Sequence, residues 1–385
     1  MIRPFPLALS LAVAAAILPL AGDPLQAQPQ PGDARPQPTL PPGARQTELS
    51  VLWKAEIGKS IVAAPAVAGQ TVFVADQAGR LTALDVSTGK QQWQTDLGSA
   101  ISASPLVADG VVYVGDEQGK FHAVQADSGK DRVLLTAGDK IVGRAAALGG
   151  VIYVGAYDHY LYALDAASGK TLWSFQTQAQ VNAGPVIAAD AVLVAGCDAM
   201  VRSLDAKTGQ QRWAIDAGGP VAAGLLVSSG RVFAATLKGD RIAIDPTAGK
   251  LLWQTYESPE NDGDTTFSAS PVVSPISPDW IMFTAQSGTA LHHDAASGKW
   301  CKTTQVRGRI TATPVLWKGL VWAVTEEGRI YNSPKKTGQW MLRFTAGAGL
   351  KASATPSGDR LWVGDEDGTL WCLVEPAGKP LNSPK

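Results

Sequence analysis

Tryptophan recurs on a lattice of about forty residues in this chain, the period of a repeat architecture in which each copy packs on its neighbours. Trp53, Trp93, Trp173, Trp213 and Trp253 occupy it, with Val133 at the missing point. Glycine keeps the same step at Gly89, Gly129, Gly169, Gly209 and Gly249. So does aspartate at Asp85, Asp165, Asp205 and Asp245, with Gln125 in the gap. A unit of this size cannot bury its own apolar face, so copies must stack.

One copy shows what each unit folds into. Ile61 to Ala68 reads as a first strand of small residues with one proline, and Val72 to Ala75 as a fully apolar second strand. Asp76-Gln77-Ala78-Gly79 is a tight turn, Leu81 to Leu84 a third strand, Asp85 to Gly89 a second turn, and the segment around Trp93 a fourth strand. Four short strands with turn residues between them predict an antiparallel meander. First strands begin at Ile61, Ile101, Ile141, Val181, Val221, Phe267, Ile310 and Leu350. The expectation is an all-β, eight-bladed β-propeller of four-stranded blades. The last copy has no fourth strand of its own, and Leu49 to Lys54 is a Trp-bearing strand with no first three. Pairing the two closes the ring without a free edge. In the sixth and seventh copies the tryptophan moves two places, to Trp300 and Trp340, which on a regular strand keeps the side chain on one face.

The propeller accounts for residues 48–379, followed by a short tail, 380–385. Residues 1–27 read as an export signal: Arg3 supplies the positive end, and the apolar run from Leu7 to Gly22 is short for a membrane span. An uncleaved N-terminal anchor is the alternative. Residues 28–47, rich in Pro and Gln, are expected to form a flexible tether. The net charge of −1 gives the chain no global attraction for nucleic acid or an anionic membrane.

The segments Ala83-Leu84-Asp85-Val86-Ser87-Thr88-Gly89-Lys90-Gln91-Gln92-Trp93 and Ala163 to Trp173 resemble the tryptophan-docking repeat of pyrroloquinoline quinone (PQQ)-type propellers. The resemblance covers residues 49 to 379. It implies that Trp53, Trp93, Trp173, Trp213 and Trp253 are structural, each lying between blades with its indole N–H bonded to a neighbouring carbonyl. It serves two functional classes. PQQ-dependent quinoprotein dehydrogenases carry calcium ligands, a carboxylate base and commonly a pair of adjacent cysteines, and no position here matches those. Within the resemblance the layout is closest to BamB-like scaffolds of outer-membrane protein assembly. That implies a secreted, periplasmic, non-enzymatic scaffold with protein partners and no cofactor. The alternative is a quinoprotein dehydrogenase, or a PQQ- or small-anion-binding protein, with PQQ and calcium. BamB-type proteins usually carry a lipid-modified cysteine after the signal. The first cysteine here is Cys197, so lipid anchoring is not expected.

Other candidates for chemistry are few. Cys197, Cys301 and Cys372 are odd in number and widely spaced, so they are either buried thiols or one Cys301–Cys372 bridge. His122 and His159 stand in different copies. His292 and His293 are adjacent on a strand and point to opposite faces, so they cannot share a metal. The Asp-x-x-Gly hairpins, such as Asp116 to Gly119 and Asp365 to Gly368, are turns rather than calcium loops. The acidic insertion Glu257 to Asp264 is the best metal candidate, against a solvated loop.

The candidate site comes from comparing the fourth residue of each first strand: Ala64, Ser104, Arg144, Gly184, Gly224, Ser270, Thr313 and Ser353. Seven are small, as crowding at a propeller axis demands, and one is arginine. Lys140, Asn182, Arg309 and Lys351 begin the same strands. With Arg144 they are expected to form a basic funnel for an anion or an acidic partner loop, unless Arg144 pairs with a nearby carboxylate.

Overall fold

Each copy forms the meander its turns dictate. In blade 1, Ala66–Ala68, Thr71–Ala75, Arg80–Asp85 and Gln91–Asp96 pair antiparallel in chain order, and six further blades repeat the pattern. In this computed structural model the described residues are 48–256, 266–333 and 338–376, all in the unit Gln46–Lys385. Blade 8 combines the two ends of the ring: Thr355–Ser357, Arg360–Gly364 and Thr369–Val374 are completed by Ser50–Glu56. The register runs from Ser50 opposite Val374 to Glu56 opposite Thr369. Leu49 N–H also donates to Arg343 O of blade 7 (2.7 Å), fastening the closing strand to a second blade. No helix among the described residues is long and apolar enough to cross a membrane.

The first strand is shorter than expected, three residues in most blades, such as Ala66–Ala68 rather than Ile61–Ala68. The cause is a change of partner. Ile61 N–H donates to Asp365 O, Ile101 N–H to Asp76 O and Ile141 N–H to Asp116 O, each on the preceding blade. The chain entering a blade thus satisfies its backbone on the blade before and cannot also join its own sheet.

Apolar side chains alternate between the two faces of each sheet and fill the seams between blades. Between blades 8 and 1, Val72, Val74 and Leu84 meet Trp362, Leu370 and Cys372, with Trp53 packed against them. The docking tryptophan secures the outer part of that seam. Trp53 Nε1 donates to Val86 O (3.0 Å), and its ring covers Gly89 so closely that a Cβ there would lie 2.7 Å from Cδ2. Gly89 also has φ of 70°, which side chains resist. Trp93, Trp173, Trp213 and Trp253 donate in the same way to Ala126, Ala206, Pro246 and Ala295, at 2.8–3.1 Å. The aspartate of the motif builds the receiving turn: Asp85 Oδ1 accepts from the N–H of Ser87 and Thr88.

Two seams depart from the pattern. Where Val133 replaces tryptophan, Arg132 donates to Ala166 O and Ala167 O, and Leu134 covers Gly169. The guanidinium takes over the hydrogen bond and the leucine takes over the packing. Trp300 and Trp340 do not dock on the following blade as expected. Trp300 lies on the far side of a bulge from the docking position, where the extra residue breaks the alternation of faces, and Trp340 precedes its strand, Met341–Thr345. In blade 6 the bulge falls between the pairs His292–Lys302 and His293–Trp300, so Lys302 stands where tryptophan would. Trp300 bonds Thr303 of its own strand, while Trp340 of blade 7 reaches back to Thr304 of blade 6.

The cysteines form no bridge. All three are free: Cys301 lies on blade 6, and Cys372 is buried in the seam of blades 8 and 1, where burial pushes its thiol up to about 12.

Removing residues 48–56 takes away the fourth strand of blade 8 and the anchor at Leu49. The truncated chain is expected to expose the edge at Thr369–Val374 and to lose its cooperative thermal transition, with aggregation followed by light scattering. A soluble truncated chain melting in one sharp step contradicts the closure.

Candidate functional site

The meander sends its loops to two ends of the ring. The receiving turns of the tryptophans lie at one end. At the other are the crossings between blades and the hairpins joining second to third strands. There each hairpin is tied to the crossing before it: Gln77 N–H donates to Ser60 O, Glu117 to Ala100, Tyr157 to Lys140, Cys197 to Gln180, Glu326 to Arg309 and Glu366 to Gly349. All five residues of the proposed funnel belong to this end.

They do not form one basic surface. Lys351 Nζ pairs with Glu366 Oε1 at 2.6 Å, and that carboxylate raises the lysine's pKa. Arg309 pairs with Glu326 (3.3 Å) and bonds Gln286, while its backbone N–H donates to Glu327. Lys140 Nζ sits over the Tyr157 ring, 4.7 Å from its centroid. Asn182 donates to Ala222 O of the next blade at 3.5 Å, and its buried Oδ1 has no partner. Two of the four cations are thus neutralised locally. Arg144 has neither a carboxylate nor a side-chain hydrogen bond among the described residues, and Lys140 has only the Tyr157 ring. The expected alternative, a local carboxylate partner for Arg144, is met by none of the described residues. The acidic insertion Glu257 to Asp264 lies outside them.

The glutamates were missed because they lie on the following hairpin, yet their spacing is regular. Ser102 bonds Glu117 and Thr311 bonds Glu326 with 15 positions between partners, and Lys351 and Glu366 stand at the same offset. A scan for residues at that separation in each copy would have found them.

Elsewhere, titratable groups are consumed by the scaffold. Asp76 Oδ1 accepts from the N–H of Ala78 and Arg80, and its Oδ2 takes the Arg80 guanidinium. Asp116 closes its hairpin through Gln118 and Lys120, while its Oδ2 faces His122 at 3.5 Å. Asp365 binds Asp367, Thr369 and the Trp371 indole. The two adjacent histidines face opposite seams, as expected. His292 bridges Ser274 (2.8 Å) and Thr304 (3.1 Å) toward blade 7, and His293 stacks on Trp253 of blade 5. A calcium-held quinone needs convergent carboxylate and amide oxygens. Among the described residues no group of His, Cys, Asp or Glu could hold a metal, and the hairpin carboxylates are already engaged by N–H donors. The described residues therefore do not fit that cofactor.

Burial holds both His292 and His293 down to about 4. An unfolded imidazole titrates near 6.5, so below that pH the unfolded chain binds protons that the folded ring refuses. Stability is full above pH 6.5 and is lost as pH falls toward 4. The loss amounts to about 2–3 kcal/mol per histidine by pH 4.5. Thermal melts between pH 7 and 4.5 are expected to show this decline, made shallower by His293→Phe. An unchanged slope in that variant contradicts the assignment.

A family model described as outer membrane protein assembly factor BamB matches residues 48–132 and 157–381. None of the curated proteins matches the chain in sequence. Among solved structures, BamB from Moraxella catarrhalis is similar with a TM-score of 0.72 and 19% identity, over 86% of this chain and 99% of that one. The computationally designed Ika8 protein gives a TM-score of 0.72 at 18% identity, over 85% of this chain and 99% of that one. The quinohemoprotein alcohol dehydrogenase from Comamonas testosteroni gives 0.70 at 15%, over 88% and 78%. At these identities the structural likeness speaks for the fold alone, and the same ring serves an assembly factor, a design and an oxidoreductase.

Proposed function

The chain belongs to the BamB family of outer membrane protein assembly factors, and from that premise we propose that it is a non-enzymatic, protein-binding scaffold. It acts in the periplasm, reached through an N-terminal export signal, and serves outer-membrane protein assembly. The observation that carries this reading is the family match along almost the whole ring. What supports it further is how the polar groups are used. The hairpin carboxylates and buried histidines hold turns and seams together, which leaves the loops of one end as the surface that differs from blade to blade. That surface includes Tyr157, Leu237 and the pairs Arg309–Glu326 and Lys351–Glu366. Such mixed loops on a rigid frame suit recognition of a protein partner.

The rival reading is a quinoprotein, since a quinohemoprotein dehydrogenase shares the fold. One preparation separates the two. Tagged chain, crosslinked in cells and purified from the envelope fraction, is expected to bring down components of the outer-membrane assembly machinery. Incubated with PQQ and calcium, it is expected to gain no quinone absorbance and to reduce no dye with alcohols or sugars. Dye reduction that requires both additions, with no assembly component recovered, overturns the proposal.

A further inference from the structure

The fourth residues of neighbouring blade entries meet across four of the eight seams around the axis. Ala64 N–H donates to Ser104 Oγ and Ser270 N–H to Thr313 Oγ1, each at 3.0 Å and each across a seam. A Cβ on Gly184 would lie 2.6 Å from Arg144 O, and one on Gly224 would lie 3.1 Å from Ser270 Oγ. Neighbouring blades therefore touch at this level. Gly184 is required there because the Arg144 backbone occupies the space a side chain would need.

Arg144 is the one charged residue among these fourth positions. Its side chain is exposed while Gly143 and Ala145 on either side are buried. Yet desolvation by the surrounding protein pulls its pKa down, and no carboxylate opposes that effect. A guanidinium open to water yet crowded by protein fits a position facing the axis, around which the blade entries are arranged. Among the described residues it has no ion-pair or hydrogen-bond partner. The other fourth positions offer donors. Ser104 and Thr313 already accept backbone N–H groups on their oxygens, so their hydroxyl hydrogens are free to donate.

We propose that the axial channel is a carboxylate-binding site, with Arg144 as its anchor and the hydroxyls of Ser104, Ser270 and Thr313 as further donors. A guanidinium fork matches a planar carboxylate through two parallel hydrogen bonds. The single charge among these positions selects a monoanionic group. Glu117, Glu326, Glu327 and Glu366 stand on the hairpins at this end, and they disfavour a phosphate dianion. The carboxylate belongs either to a free small acid or to an acidic side chain of a partner loop.

Acetate labelled with 13C, titrated by NMR at constant ionic strength set with chloride, tests the site. Saturable binding in the millimolar range is expected, as befits a ligand of so few atoms. Arg144→Gln is expected to weaken it at least about tenfold while keeping the melting transition. Arg144→Lys keeps the charge without the fork and is expected to fall between the two. Inorganic phosphate at pH 7.5 is expected to bind more weakly than acetate. Absent binding in the unaltered chain, equal binding in either Arg144 variant, or phosphate binding as tightly as acetate overturns the proposal. A blocked tripeptide with a central glutamate, set against its glutamine counterpart, assigns the source. Displacement of acetate by the glutamate peptide alone points to a partner loop, and failure to displace it points to a free acid.

Discussion

The indole laid over a glycine of the next blade is the contact on which the ring depends. A four-stranded sheet this small cannot bury both faces alone, so its stability is shared with its neighbours. Near the axis the seams are filled by interlocking aliphatics. Farther out the blades diverge, and a long, flat side chain with a single donor spans the gap. Trp53, Trp93, Trp173, Trp213 and Trp253 supply it, and each needs a glycine beneath the ring and a carbonyl in reach of Nε1. The lattice of tryptophan, glycine and aspartate is therefore one interaction repeated. Its replacement by Arg132 and Leu134 at one seam shows which parts are essential, because both the hydrogen bond and the cover over glycine are restored by other chemistry.

Because docking uses the turns at one end of the ring, the other end is free to vary. Its hairpins keep a fixed backbone tie to the crossing before them, while the side chain of the residue that makes the tie changes from Gln77 to Glu117, Tyr157, Cys197 and Leu237. Eight equivalent positions on a stiff frame can then carry unrelated side chains without cost to the fold. This division lets one architecture appear in an assembly factor, a designed protein and a dehydrogenase, and it places the functional question on side chains rather than on topology.

The fold was legible in the sequence wherever one residue type meets one need. Eight blade entries and the orphan strand at Leu49 followed from spacing, and the role of the tryptophans from the resemblance to the PQQ-type repeat. Features that depend on pairing between segments were not legible. The first strand is short because Ile61 and its counterparts give their N–H groups to the preceding blade, and composition carries no trace of that choice. Trp300 was misplaced because a bulge, invisible in the residue pattern, lies between it and the docking position, and Trp340 because it precedes its strand, Met341–Thr345, and turns back to blade 6. In the candidate site, Arg144 was found because it breaks a run of small residues. The partners of Arg309 and Lys351 were not found, because the glutamates that neutralise them come from a different loop of the same blade.

If docking tryptophans hold the seams, local stability should follow their distribution around the ring. Hydrogen exchange of the whole chain, resolved by peptide, measures this directly. The outer strands Thr171–Gln176 and Gln211–Asp216, which carry Trp173 and Trp213, are expected to exchange only with global unfolding. The outer strands Trp300–Gln305 and Met341–Thr345, which lack a docked tryptophan, are expected to exchange earlier through local opening. Equal protection in all four strands, or earlier exchange in the two that carry Trp173 and Trp213, would contradict the claim that tryptophan docking secures the ring.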